Sequence, residues 1–296
     1  MVDTINKLTP SEQAAKAEQD AKALLQKYDR ESNFREQIGV WAWVVTFLGI
    51  SLTVFHIYTG YYGTFPSQKQ GAVHLGTALG LIFLLFPLKK GQQVFQKTVP
   101  WYDVLLAFLA MYVTYYKIIN FDSLIQSITW GYDQYDTFLS VIGVLLLLEA
   151  TRRTVGVPIV IVAAIMIGYA LFGNYIPTAT LSHQGYDFTD VTTRLWYRDS
   201  GVFGTPLQIS AKYIYLFLFF GVILVNTRIG QFFNDLAFGL TGRFTGGTAK
   251  AAVVASALQG MVSGSSVGNT VASGSFTIPM MKNSGFKPEF AAGTEA

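Results

Sequence analysis

Residues 246–286, GGTAKAAVVASALQGMVSGSSVGNTVASGSFTIPMMKNSGF, form an apolar segment that is interrupted near its middle by glycine and serine. The apolar part, 251–281, is too long for one untilted crossing, which takes ~20 residues. Basic residues flank it on both sides, namely Arg243, Lys250, Lys282 and Lys287. Because Lys and Arg beside membrane segments stay in the cytoplasm, both flanks are expected on one face. The pattern predicts a re-entrant helical hairpin over 251–281 whose tip is SGSS, 263–266.

Polar groups at this tip are expected to form a binding site. Non-helical backbone at membrane depth is tolerated only where protein covers it or where it lines a water-filled cavity. Unwound carbonyls and serine hydroxyls offer oxygen ligands to Na⁺, and the N–H groups at the start of the second arm present a partial positive charge to an anion. The predicted sodium ligands are Ser263, Gly264, Ser265 and Asn269, and the predicted substrate-binding residues are Ser265, Ser266, Asn269 and Thr270.

The same small residues also allow a structural interpretation. Glycine and serine let membrane helices approach closely, so Gly264, Ser265 and Ser266 could form a packing seam. The matched basic flanks and the position of the cluster at the centre of the segment favour the binding interpretation.

The composition is that of an integral membrane protein. Hydrophobic residues make up 51% of the chain and charged residues only 13%, roughly half the charged share of a soluble domain. Besides the hairpin, six apolar segments are predicted to cross the membrane, at about 40–58, 72–88, 101–119, 137–150, 155–173 and 211–229. The fold class is therefore all-α integral membrane, with about six transmembrane helices plus a re-entrant hairpin.

Several functional classes are excluded or disfavoured by the same composition. The net charge of +3 is too small to indicate a nucleic-acid partner. The chain has no cysteine, which excludes disulfides and thiol chemistry. Its three histidines, His56, His74 and His183, are far apart in sequence and lack the spacing of metal ligands, so no cofactor is expected.

The distribution of Lys and Arg predicts a cytoplasmic N-terminus. Basic loops alternate with loops that have few or no basic residues, as six crossings require. The charged leader, 1–38, has no apolar stretch typical of a signal peptide, and 10–37 is expected to form a surface or interfacial helix. Arg152 and Arg153 are interpreted as a cytoplasmic anchor, with a substrate clamp as the alternative. The long loop 174–210, which contains Tyr186, Trp196, Tyr197 and Phe203, is expected to form a small external structure that could contact a partner.

Three further stretches resemble a known family of transporters. VFGTPLQISAKYIYLFLFFGVIL (202–224) and GQFFNDLAFGLTGRFTGGTAK and onwards (230–296) are similar to the fused membrane subunit of tripartite ATP-independent periplasmic (TRAP) transporters, closest to the TAXI subgroup. LLLLEATRRTVGVPIVIV (145–162) resembles the junction that follows the four-helix small-subunit region of such fusions. SGSS together with GSFTIPMMK (274–282) makes the resemblance specific.

The resemblance implies a secondary transporter of the bacterial inner membrane. Such proteins use an ion gradient, usually Na⁺, to import small organic anions, which for the TAXI subgroup include glutamate and 2-oxoglutarate. A periplasmic substrate-binding protein delivers the solute. The implied domains are a leader (1–38), a four-helix scaffold (39–150) and the start of an elevator-type transport region (151–296) that contains the first hairpin. A second, inverted repeat is expected beyond Ala296, so the chain alone is not expected to transport.

Two alternative functions agree less well with the whole sequence. A membrane-embedded enzyme would need an acid–base pair, a metal cluster or an activated nucleophile, and the apolar segments provide none of these. A non-transporting scaffold or assembly subunit fits 1–150 well but leaves the hairpin without a role. The sequence therefore favours a transporter over an enzyme.

Overall fold

The computed structural model describes residues 34–35, 38–89, 98–177, 180–227, 229–262 and 266–295, and every regular element within these ranges is helical. The predicted leader helix, 10–37, lies outside the described residues apart from 34–35. The chain divides into two compact units, which we call the N-unit (Asn33–Leu216) and the C-unit (Phe217–Ala296). The predicted division at 150–151 rests on the family resemblance and stays a prediction.

The helices are numbered in chain order. They are α1 (Trp41–Tyr62), α2 (Ser67–Leu85), α3 (Trp101–Ile119), α4 (Phe121–Trp130), α5 (Gln134–Thr154), α6 (Val157–Phe172, followed by a 3₁₀ turn, Gly173–Tyr175), α7 (Phe188–Tyr197), α8 (Thr205–Ile209), a π-helical turn (Ser210–Ile214), α9 (Tyr215–Asn226), α10 (Ile229–Thr241), α11 (Gly247–Gly260), α12 (Ser266–Asn283) and α13 (Pro288–Glu295).

Five stretches within the described residues are long and apolar enough to cross a membrane. They are Trp41–Tyr62, Trp101–Ile119, Gln134–Thr154, Val157–Tyr175 and Thr205–Leu224. They correspond to five of the six predicted segments, which confirms an all-α integral membrane protein. The remaining segment, 72–88, largely coincides with α2, whose first turn is polar. That α2 is helical is confirmed, and that it crosses the membrane stays a prediction.

Helix α5 begins earlier than its apolar residues suggest. The apolar pattern predicted a short segment from 137, whereas the helix starts at Gln134 and runs for 21 residues. The Asp133 carboxylate accepts a hydrogen bond from the backbone N–H of Asp136 at 2.7 Å, which caps the helix. The helix therefore includes residues 134–136, which precede the apolar run, and its 21 residues reach the length that a membrane crossing needs.

Helix α2 forms the centre of the N-unit. Leu79 and Phe83 are almost fully buried, and α2 packs closely along α3. A Cβ atom on Gly76 would lie 3.2 Å from Thr114, and one on Gly80 would lie 2.9 Å from the Met111 sulfur. Small residues thus allow the two helix backbones to approach, as in many membrane helix pairs.

The loop between α6 and α8 folds onto the N-unit. Trp196, Tyr197 and Phe203 are buried, so these aromatic rings are part of the core and are not available to a partner; Tyr186 remains exposed. The buried Lys117 ammonium donates to the Tyr197 carbonyl at 3.0 Å and lies 3.5 Å from the centre of the Phe203 ring. Burial raises the pKa of the Tyr197 phenol, which stays neutral and donates to the Asp136 carbonyl. Trp196, Tyr197 and Phe203 of this loop are therefore turned inward, and its predicted external position stays a prediction.

Buried ion pairs connect three parts of the N-unit. The Asp103 carboxylate contacts the guanidinium groups of Arg35 at 2.5 Å and Arg153 at 2.7 Å, and all three side chains are inaccessible to solvent. Glu149 in turn pairs with Arg152 and Arg153 at 2.7 Å. These contacts hold Arg152 and Arg153 in place within the N-unit, and their interpretation as a cytoplasmic anchor or a substrate clamp stays a prediction.

Candidate functional site

The predicted hairpin segment consists of two helices. Helix α11 ends at Gly260 in a turn over 261–262, and α12 begins at Ser266. The two helices pack against each other. Helix α11 starts after Gly246, whose φ of 70° is the left-handed conformation that glycine adopts readily. The segment is therefore interrupted where the sequence indicated, whereas entry into and return from the same membrane face stay a prediction.

The predicted site residues occupy different parts of this arrangement. Ser263, Gly264 and Ser265 lie outside the described residues. Ser266 is the first residue of α12 and is exposed, while Asn269 and Thr270 follow in the first and second turns of α12 and are half-buried. The described part of the site is thus the N-terminal end of the second arm.

Asn269 joins the two arms and leaves one oxygen without a partner. Its Nδ2 donates to the backbone carbonyl and to the hydroxyl of Ser256 on α11, both at 3.1 Å. Its Oδ1 is buried and has no hydrogen-bond partner within the described residues. Buried polar atoms normally have one. Because the two hydrogen bonds of Nδ2 fix the orientation of the amide, Oδ1 is an acceptor without a partner among the described residues.

The turn that precedes the tip packs against α9. A Cβ atom on Gly221 would lie 2.7 Å from the carbonyl oxygen of Val262. The backbones of α9 and of the turn can approach this closely only because residue 221 is glycine. On the other side, Gln259 Nε2 donates to Asn234 Oδ1 of α10 at 3.2 Å. Contacts from α9 and α10 therefore fix the end of the first arm.

A polar stripe continues along α12 from Asn269. Ser273 and Thr277 follow at intervals of four residues, which places all three side chains on one helix face. Both hydroxyls contact the carboxyl group of Glu295 on α13, and all three of these side chains are buried. This cluster was not predicted from the sequence. Two signals for it were present, namely the four-residue spacing of Asn269, Ser273 and Thr277 and the single acidic residue, Glu295, in FAAGTE (290–295).

A second missed cluster lies in the N-unit. His56 Nε2 and His74 Nδ1 are 2.9 Å apart, and His74 Nε2 is 3.2 Å from the Ser210 hydroxyl. His56 and His74 are therefore neighbours in the fold although they are 18 residues apart in the sequence. His56 lies seven residues before Gly63 and His74 eight after Pro66, so the antiparallel pairing of α1 and α2 brings them to the same level. His183 is elsewhere, against the Tyr169 carbonyl.

Comparison with known proteins gives the class and then the family. The apolar helices and the polar break define a multi-pass membrane protein. A family model described as "Tripartite ATP-independent periplasmic transporter, DctM component" matches residues 142–296, which is 155 of the 296 residues. The chain belongs to this family. The family is one of transporters.

One curated relative gives the extent of the similarity. An uncharacterized protein named y4mL from Sinorhizobium fredii (strain NBRC 101917 / NGR234) is 30% identical over 142 residues. That alignment covers 48% of this chain and 29% of the relative, so the match spans less than a third of the relative's length. No solved structure matches the chain significantly.

Proposed function

We propose that the chain is the permease part of a secondary transporter that imports small organic carboxylates on a sodium gradient. It would be of the fused type and nearest the TAXI subgroup, lie in the bacterial inner membrane with its N-terminus in the cytoplasm, and receive its solute from a periplasmic binding protein. The family membership supports a permease in this role. The ion, the solute class and the re-entrant path of 251–281 are part of the proposal.

The observation that carries the sodium proposal is the free oxygen of Asn269. Na⁺ is bound by oxygen atoms, and a neutral amide oxygen binds it without introducing a second buried charge. The Asn269 amide is fixed by two hydrogen bonds to Ser256, so its oxygen is oriented before any ion arrives. Ser263, Gly264 and Ser265 precede it in the chain and would add carbonyl and hydroxyl oxygens.

The start of α12 supports binding of an anion beside the sodium ion. The first N–H groups of a helix lack partners within the helix and carry a partial positive charge. Helix α12 runs for 18 residues from Ser266, and its first turns contain Asn269 and Thr270. A substrate carboxylate at this end would accept hydrogen bonds from these N–H groups and from the side chains of Ser266 and Thr270.

A scaffold role is proposed for the N-unit rather than for the whole chain. Its ion pairs around Asp103 are buried and its aromatic loop is packed inward, as suits a rigid support. The non-transporting alternative would extend this role to the C-unit, where the free oxygen of Asn269 would then have no purpose.

The test is sodium-driven uptake by an intact transporter that contains this chain, reconstituted in liposomes. Asn269→Ala removes one proposed ligand and is expected to raise the Na⁺ concentration for half-maximal uptake about tenfold or more, since a hydrogen bond or ligand to a charged group contributes roughly 1.5–3 kcal/mol. Ser265→Ala is expected to act in the same direction. Asn283→Ala, an exposed residue at the end of the same helix, is the matched control.

The outcomes separate the two functions. Normal uptake with unchanged sodium dependence in both Asn269→Ala and Ser265→Ala would contradict the proposed site. Complete absence of solute flux in the unmodified transporter, with the binding protein and several carboxylates supplied, would favour the scaffold alternative.

A further inference from the structure

Glu295 presents a buried carboxyl group to the polar stripe of α12. Only 6% of the residue is exposed, and Ser273 and Thr277 are buried even more completely. One carboxyl oxygen contacts the Ser273 hydroxyl, and the other lies 2.5 Å from the Thr277 hydroxyl. Gly274 adds to the enclosure, because a Cβ atom there would lie 3.1 Å from the Glu295 Cγ.

The hydrogen atoms of the two hydroxyls are too few for all of these contacts. The Ser273 hydroxyl also lies 2.7 Å from the Asn269 carbonyl, and the Thr277 hydroxyl lies 3.0 Å from the Ser273 carbonyl. Four contacts to acceptors thus share two hydroxyl hydrogens, since each hydroxyl has one. A proton on the Glu295 carboxyl would supply a third hydrogen, because the acid could then donate to one hydroxyl while that hydroxyl donates to its helix carbonyl.

The surroundings of Glu295 offer no compensating positive charge among the described residues. Helices α11 and α12 pack against α13 and contribute Lys250 and Lys282. Lys250 is exposed, with its ammonium 5.7 Å from the centre of the Phe244 ring, and Lys282 is exposed as well. The charged residues next along the chain, Lys287 and Glu289, are also exposed. Within the described ranges Glu295 takes part in no ion pair, and a buried ionised carboxylate without a partner is costly.

We propose that Glu295, together with Ser273 and Thr277, is a proton-binding site of the C-unit. The carboxyl carries a proton when it is enclosed by the two hydroxyls, and it releases that proton when α13 moves away from α12 and water reaches the group. The site is separate from the tip residues proposed for sodium and is connected to Asn269 by the Ser273–Asn269 hydrogen bond. The presence of a proton on the Glu295 carboxyl is inferred from the contacts between α12 and α13. A role of this proton in driving transport rests on the proposed function.

Infrared spectroscopy of the purified membrane protein in lipid nanodiscs tests the occupancy directly, because protonated and ionised carboxyl groups absorb at different frequencies. At neutral pH we expect a protonated-carboxyl band that disappears in Glu295→Gln and remains in Glu289→Gln, the exposed acid on the same helix. The band is expected to remain when choline replaces Na⁺. Thr277→Val removes one hydrogen bond to the carboxyl and is expected to shift the band to higher frequency.

Each alternative result has a definite meaning. A spectrum without any band that responds to Glu295→Gln or Thr277→Val would overturn the proposal. A band that is present only without Na⁺ would also overturn it, because sodium would then occupy the carboxylate. The amide of glutamine can donate a hydrogen bond as the protonated acid does, so the Glu295→Gln variant is expected to fold. If that variant does not fold, the frequency shift in Thr277→Val assigns the band to Glu295.

The spectroscopic test needs no solute and is independent of the transport proposal. Failure of sodium-driven uptake would leave the infrared result intact, and an absent band would leave the sodium site at Asn269 untouched. If both hold, uptake by Glu295→Gln is expected to lose its dependence on external pH while its dependence on Na⁺ persists.

Discussion

Asp103 shows how single residues determine the stability of the N-unit. Its carboxylate is shared between Arg35 and Arg153, and none of the three side chains is accessible. The two arginines also donate to carbonyl oxygens near the end of α2, Arg35 to Leu84 at 3.0 Å and Arg153 to Phe86 at 3.1 Å. Removing the shared carboxylate takes a charge partner from two buried guanidinium groups, of which Arg153 keeps its pair with Glu149.

Asp103→Asn keeps the shape of the side chain but removes its charge. We expect it to lower the free energy of unfolding by about 3–5 kcal/mol, as found when one partner of a buried ion pair is lost. Thermal unfolding in nanodiscs measures the change. Asp190→Asn is the control, because Asp190 and Arg194 are 4.0 Å apart with both side chains about half exposed, and such pairs contribute roughly 0–1 kcal/mol. Equal effects of the two substitutions would contradict this account.

The sequence indicated the chemistry of the site residues better than their contacts. A glycine- and serine-rich break between apolar arms predicted a polar site, which stays a prediction; within the part of the chain that the structure describes, the buried Asn269 Oδ1 has no hydrogen-bond partner. The partners could not be predicted, because Ser256 and Glu295 come from different helices and meet α12 only through packing. The His56–His74 pair was missed for the same reason, since it depends on how α1 and α2 are paired.

At the scale of elements, the packing of α5 against α7 depends on one glycine. Gly143 faces the buried Trp196 ring so closely that a Cβ atom would lie 2.3 Å from the ring carbon Cε2. Trp196 is rigid and fully enclosed, so it has no room to move away. The loop that contains α7 can therefore pack against α5 only with glycine at this position.

Gly143→Ala is expected to destabilise the protein by about 1–3 kcal/mol, which is typical of an overpacked core. Thermal unfolding in nanodiscs measures the loss, and limited proteolysis of the 174–210 loop should increase. Gly168→Ala on α6 is the matched control, because no atom lies within 4 Å of its Cβ position. Its stability should be unchanged or slightly higher, since alanine favours helix over glycine. A neutral Gly143→Ala would show that Trp196 does not hold the loop.

The sequence predicted the elements well where apolar runs were long and less well elsewhere. Helices α1, α3, α6 and α9 coincide closely with predicted segments, because hydropathy alone identifies a lipid-exposed helix. Helix α5 begins at a cap that hydropathy does not detect, and α7 lies in a stretch that was predicted only to form some external structure. Trp196 and Tyr197 of this helix are buried because of tertiary packing, which the sequence does not encode locally.

At the scale of the whole molecule, the exposed apolar surface agrees with a protein embedded in lipid. Only 6% of the most apolar stretch of Val157–Tyr175 and 11% of that of Thr205–Leu224 is buried within the described structure. In water such helices would expose a large apolar area, whereas lipid covers them at no cost. The proposed ion site depends on the path of 251–281 through the membrane.

Labelling of single cysteines tests that path most directly, and the chain has no native cysteine to give a background. Thr245→Cys and Ser284→Cys place exposed thiols just outside the two ends of the segment. A membrane-impermeant maleimide is applied to right-side-out and to inside-out vesicles. We expect both thiols to react only in inside-out vesicles, because a hairpin returns to the face it entered. Reaction of the two thiols from opposite faces would show that 251–281 crosses the membrane and would contradict the re-entrant site.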